Sequence, residues 1–118
     1  MDIRIVREPV NPKILEELMH SYNRTFVKGV ADIERGLLAL GGEWHMDANT
    51  LLIADGSEQK NVWGFNIYPG KSGDTAIEYD SLINIRPGQG NRSREIMDAQ
   101  IRTVIRALVG KLVPTLSL

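Results

Sequence analysis

Between Val62 and Arg86 the apolar side chains recur at every second position, and this alternation constrains the fold more than any other feature of the chain. Trp63, Phe65 and Ile67 fall on one face of a first run over residues 62–68, with Gly64 and Asn66 on the other. The turn-forming Pro69-Gly70-Lys71-Ser72-Gly73 follows. In a second run, Ile77, Tyr79, Ile83 and Ile85 share one face, and Glu78, Asp80, Asn84 and Arg86 share the other. A period of two is the signature of a half-buried strand. Two antiparallel strands are therefore predicted, the second running through Ser81 to Arg86. Parity restricts their register: for the apolar faces to coincide, Phe65 must lie near Ile77 or Tyr79 and never opposite Glu78.

An apolar sheet face needs a covering layer. Ile101, Val104, Ile105, Leu108, Val109 and Leu112 recur at helical spacing, Asp98 stands where an N-cap belongs, and Pro114 stops the run. Arg102 and Arg106 lie off this stripe, one turn apart, and repel unless an acid or anion is near. Residues 115–118 form a short apolar tail, either frayed or packed on a partner. At the other end, Ile3, Ile5 and Val6 make a short strand. Asn11-Pro12 then starts a helix whose stripe is Leu15, Leu18, Met19 and Tyr22 and whose end is expected near Asn23. His20 lies on its solvated side.

Residues 26–40 admit two readings. Phe26, Val30, Ile33, Leu37 and Leu40 fit a helical heptad, but Gly29 and Gly36 would each cost about 1 kcal/mol inside a helix. A hairpin with strands at 27–33 and 37–40 and a Glu34-Arg35-Gly36 loop accounts for the glycines and is preferred. Asp47 is predicted to cap a short helix over 48–54, closed by Gly56. The whole reads as α+β: a mixed or mainly antiparallel sheet with helices packed on one face, in a single compact domain over residues 1–118.

Composition narrows the function classes. Hydrophobic residues at 42% and charged residues at 25% suit a folded core, not a disordered chain. The net charge of -1 argues against a general nucleic-acid binder. The absence of cysteine excludes disulfides, thiolate zinc sites and cysteine nucleophiles. Residues 1–6 lack the apolar run of a signal peptide, and no stretch approaches the roughly 20 apolar residues of a membrane span, so a cytoplasmic location is expected.

Three clusters carry chemistry. The first lies in the loop over residues 83–96. Pro87-Gly88 suits the centre of a type II turn, and Gly90-Asn91 tolerates a second, left-handed bend. N–H groups in such bends can converge on an anion, and arginine forks suit carboxylate or phosphate. Arg86, Gly88, Gly90, Asn91 and Arg92 are the expected anion site. The second is Glu43-Trp44-His45-Met46-Asp47, where Glu43, His45 and Asp47 project to one side of an extended chain and suit a divalent metal or acid–base work. The third is the polar strand face of Glu78, Asp80, Asn84 and Arg86, either a site beside the arginine loop or a solvated face with cross-strand pairs. No phosphate-loop, dinucleotide or serine-hydrolase fingerprint occurs.

Asp32-Ile33-Glu34-Arg35-Gly36, Gly41-Gly42-Glu43, His45-Met46-Asp47, Trp63-Gly64-x-Asn66-Ile67-Tyr68 and Leu82-Ile83-Asn84-Ile85-Arg86-Pro87-x-Gln89-Gly90-Asn91-Arg92-Ser93 together resemble a family of small prokaryotic proteins known only as a domain of unknown function. The chain departs from that pattern at Arg94 and Asn49, where methionine and glutamate are expected. The resemblance implies a self-contained domain and carries over no catalytic residue. The reading that follows is a non-catalytic binding protein that holds an anionic group at the 86–94 loop. The alternative is a small metal-dependent phosphoester hydrolase built on Glu43, His45 and Asp47. Neither reading names a cofactor. The expected partner is a small anionic ligand, with self-association left open and no role for a membrane.

Overall fold

The structure, a computed structural model, describes residues 2–22 and 25–118. Its strands are β1 (Ile3–Val6), β2 (Val27–Asp32), β3 (Leu37–Gly41), β4 (Val62–Ile67) and β5 (Ile77–Glu78). They form one sheet in the order β1-β3-β2-β4-β5, every neighbouring pair antiparallel. Three helices complete the α+β fold: α1 (Pro12–His20), α2 (His45–Ala54) and α3 (Ala99–Leu112).

The glycines of residues 26–40 do make a hairpin. Gly36 adopts φ 70° at the end of the loop, and Asp32 Oδ1 accepts from the N–H groups of Glu34 and Arg35 at 3.0 and 2.9 Å, bending the chain back. Gly29 lies opposite Phe65 across β2 and β4. A Cβ there would stand 2.5 Å from the Phe65 ring, so the missing side chain is what seats that ring. Asn11 Oδ1 accepts from Ile14 N–H and Asp98 Oδ1 from Gln100 N–H, as N-caps should. Asn23, where the sequence places the end of the first helix, lies outside the described residues.

Helices cover both sheet faces. Ala31, Leu38, Leu40, Trp63, Phe65 and Ile67 pack with Leu15 and Leu18 of α1 and with Ile105, Val109 and Leu112 of α3. The alternate residues Val30, Leu37, Ala39 and Val62 pack with Ala48 and Leu52 of α2 on the reverse side. A run such as Leu37-Leu38-Ala39-Leu40 has no polar position to turn to water, so both its faces must be buried. The tail neither frays nor needs a partner: Leu116 is buried, and Ser117 bridges to Ser72 of the same chain.

The second long strand is the principal correction. β5 holds only Ile77 and Glu78, in the register parity demands, with Asn66 opposite Glu78 and Ile67 opposite Ile77. Beyond Asp80 the chain folds into a single 3-10 turn over Leu82–Asn84 and another over Pro87–Gln89. Ile85 is exposed rather than on a shared buried face. The cause is Asn84. Its Oδ1 accepts from Gly64 N–H at 2.8 Å and its Nδ2 donates to Gly64 O at 2.9 Å. One side-chain amide thus replaces the ladder that β5 would have made with β4. Ser81 sits so close to Gly64 that a Cβ on the glycine would lie 2.6 Å from Ser81 Cβ.

Candidate functional site

α2 begins one turn earlier than the sequence suggests. Trp44 is its N-cap and makes no side-chain capping bond, whereas Asp47 lies inside the first turn. Asp47 is therefore not the cap, but its charge still suits the positive end of the helix dipole. The early start directs His45 at the sheet. Its Nε2 lies 2.8 Å from Phe65 O. A carbonyl only accepts, so Nε2 carries the proton and Nδ1 keeps a lone pair. The imidazole pKa falls to about 4; burial is the main cause, Lys28 adds to it, and the Phe65 bond, the nearby Asn66 amide and Asp80 oppose it.

That shift has a definite sign. Between pH 6.5 and about 4 the unfolded chain binds a proton that folded His45 refuses, so stability falls as the pH drops through this window and levels off below it. Urea denaturation should lose about 2 kcal/mol from this group between pH 7 and pH 5. His45→Gln, which keeps a donor for Phe65 O, should show a correspondingly shallower acid loss. Equal pH slopes for the two proteins would refute the assignment.

Lys28, Asn66 and Glu78 are cross-strand neighbours in a row over β2, β4 and β5, on the face that α2 covers. Asn66 Nδ2 donates to Glu78 Oε1 at 2.8 Å. A carboxylate cannot donate, so this bond fixes the amide orientation. Asn66 Oδ1 is then a buried acceptor with no hydrogen bond of good geometry. His45 and Asn66, 8% and 6% exposed, form the floor of a cleft of about 390 Å³ between the start of α2 and residues 80–83. Its rim is apolar: Trp44, Met46 and Leu82 are 64%, 54% and 67% exposed. Lys28 and Arg94 bring positive charge to the walls, and Arg94 Nε donates to Asp80 Oδ1 at 3.0 Å. Apolar walls with a few convergent polar groups, at this volume, are the usual make-up of a small-molecule site.

Two other clefts are less equipped. One of about 550 Å³ lies between β5 and α3, but its cations are occupied: Arg102 stacks on Tyr79 and donates to Ile96 O, and Arg106 pairs with Asp74. The other, about 320 Å³, is lined by Trp63, Gln89, Gly90 and Asn91, and holds a buried Trp63 Nε1–H with no acceptor.

The 86–91 loop is built differently from a type II turn. Gly88 is not left-handed; Gly90 is, at φ 78°. The N–H groups of Gln89, Gly90 and Asn91 close on Arg86 O and Pro87 O within the loop. Arg86 points inwards: Nε donates to Ile83 O, Nη1 to Gln59 O and Nη2 to Val62 O, with the guanidinium 4.4 Å from the Trp63 ring centre. Asn91 is buried and its Nδ2 serves Asn84 O, Ser93 O and Glu95 O, while its Oδ1 accepts from Met97 N–H. Arg92 is exposed and forms no ion pair among the described residues. Glu43 is also exposed and Asp47 half-buried, and no three His, Cys, Asp or Glu side chains among the described residues are placed to hold a metal ion.

Residues 4–112 match the family model described as a protein of unknown function, DUF5674. The chain belongs to this family. No curated protein and no solved structure matches it. Among the described residues of this DUF5674 protein, no helix is long and apolar enough to cross a membrane. Two of the stretches that stand out in the sequence, the one around His45 and the one through Asp80, meet at the cleft, and Arg94 joins them from the end of the loop. Of the residues expected to hold an anion, Arg86 and Asn91 spend their polar groups on backbone. Lys28, Asn66, Ser81 and Leu82 are not among the site residues that the sequence singles out. Only the Trp63-Gly64-x-Asn66 motif hinted at Asn66, as a polar residue in a strand that buries both faces.

Proposed function

We propose that this DUF5674 protein is a non-catalytic binding protein for a small, partly apolar molecule that carries an anionic group. The observation behind this reading is the coincidence, in one cleft, of an unpartnered buried acceptor on Asn66, a buried neutral His45 and the exposed Trp44, Met46 and Leu82. The apolar part of the ligand lies on Trp44 and Met46. Its anionic group lies by Lys28 and by the terminal nitrogens of Arg94, whose Nε alone is held by Asp80. A second reading keeps the anion at the 86–92 loop, favoured by the unpaired Trp63 N–H beside Gly90 and by the exposure of Arg92.

One titration separates them. 8-Anilinonaphthalene-1-sulfonate joins an apolar ring system to a fixed anion, and its fluorescence rises on transfer to an apolar site. Saturable binding to the native protein is expected, weakened by about tenfold in Trp44→Ala, as for an exposed aromatic anchor. Trp44 is largely solvated, so the variant should fold normally. Weakening by Arg92→Lys with Trp44→Ala unchanged would move the site to the loop. Binding unaffected by either change, or no binding, would remove the proposal.

A further inference from the structure

The polar floor of the cleft holds a buried acceptor that no donor reaches with good geometry. Glu78 fixes the Asn66 amide so that Oδ1 faces away from the carboxylate, and Phe65 O fixes the His45 tautomer so that Nδ1 holds a lone pair. Asn66 Oδ1 has no donor with good hydrogen-bond geometry among the described residues, and the Asn66 and His45 side chains are both more than nine-tenths buried. Asn66 also lies close enough to His45 to favour the imidazolium, which places the amide oxygen and the imidazole against the same space. Ser81, buried beside them, uses its Oγ to accept from Ile83 N–H at 3.3 Å. A buried acceptor left without a donor destabilises the empty cleft, and a group that supplies the missing donor recovers that cost.

Resting on the binding reading above, we infer that the ligand is an acidic aromatic heterocycle whose ring N–H enters the cleft and donates to Asn66 Oδ1, with the ring against Trp44 and the acid towards Arg94. A neutral N–H fits better than an ammonium group, because Lys28 and Arg94 both stand in the walls and repel a further cation. A ligand with only acceptors on its inner edge would set a lone pair against Asn66 Oδ1 and be rejected, since unpaired polar groups discriminate more strongly than lost apolar contacts.

The first comparison varies the ligand on the wild-type chain, where folding is not at issue. Indole-3-acetate has the ring N–H, an apolar bicycle and a carboxylate; naphthalene-1-acetate has the last two alone. By calorimetry on the wild-type chain, indole-3-acetate is expected to bind about tenfold more tightly, the equivalent of one well-made hydrogen bond to a buried group. In Asn66→Leu, with its fold checked by circular dichroism, that preference should vanish while naphthalene-1-acetate binding is retained. Equal affinities for wild type would overturn the N–H inference and leave the cleft as an anion-and-apolar site. Absence of binding by both compounds at millimolar concentration would overturn the inference and the binding reading together.

Discussion

Replacing Asn84 with alanine should lower stability by about 4 kcal/mol and the Tm by about 15 °C, the largest loss expected from any single polar residue here. Asn84 is fully buried and its amide makes three bonds to backbone: from Gly64 N–H, to Gly64 O and, at 3.1 Å, to Arg94 O. Truncation strands all three groups where no strand can reach them, because β5 has already ended at Glu78. Asn84→Asp keeps the acceptor for Gly64 N–H but presents a charge to two carbonyl oxygens, so it should be no better than alanine. Urea unfolding of both variants checks this. A loss below about 1 kcal/mol in the alanine variant would mean that water replaces the amide at no cost.

Arg86 is the second. Its guanidinium ties three carbonyls, those of Gln59, Val62 and Ile83, to one point above Trp63, and burial pushes its pKa down from the usual arginine range. Arg86→Ala should cost about 3 kcal/mol, since hydrogen bonds from a charged donor are worth about 1.5–3 kcal/mol each and the exposed Gln59 recovers water in part. Arg86→Lys keeps the charge but not the planar fork, and should recover less than half of the loss. If Arg86 served mainly as an anion ligand, phosphate would stabilise wild type and leave the variants unmoved. The expected result is a loss that is the same with and without phosphate.

These two residues connect stability to the proposed site. Asn84 and Arg86 fasten the segment that carries Ser81, Leu82 and Ile83, and that segment is one wall of the cleft. The opposite wall is the first turn of α2, held to β4 through His45 and Phe65 O. Both walls therefore hang on β4, with Gly64, Phe65 and Asn66 as three consecutive attachment points. A floor on a central strand and walls fixed by side-chain-to-backbone bonds make a pre-formed site, which lowers the ordering cost of binding.

Much of the framework was legible in local sequence. Gly36 announced the hairpin, Asn11 and Asp98 their helices, and the spacing of Ile105, Val109 and Leu112 the covering layer, because each follows from a period or a preferred φ/ψ within a few residues. Parity kept Phe65 from facing Glu78, and the structure pairs Glu78 with Asn66 instead. The long second strand follows from the same local rules, and there the tertiary structure decided. Asn84 reaches Gly64 across 20 positions, Arg86 reaches Gln59 across 27, and His45 reaches Phe65 across 20. A side-chain bond to distant backbone leaves no periodic trace in either partner. The sequence by itself determined the hairpin of β2 and β3 and the starts of α1 and α3, since those choices are local and repetitive. Which polar residues stitch the backbone and which are left facing a cleft was settled only when the sheet brought β4, α2 and residues 80–94 together, because hydrogen-bond satisfaction is a property of the assembled neighbourhood.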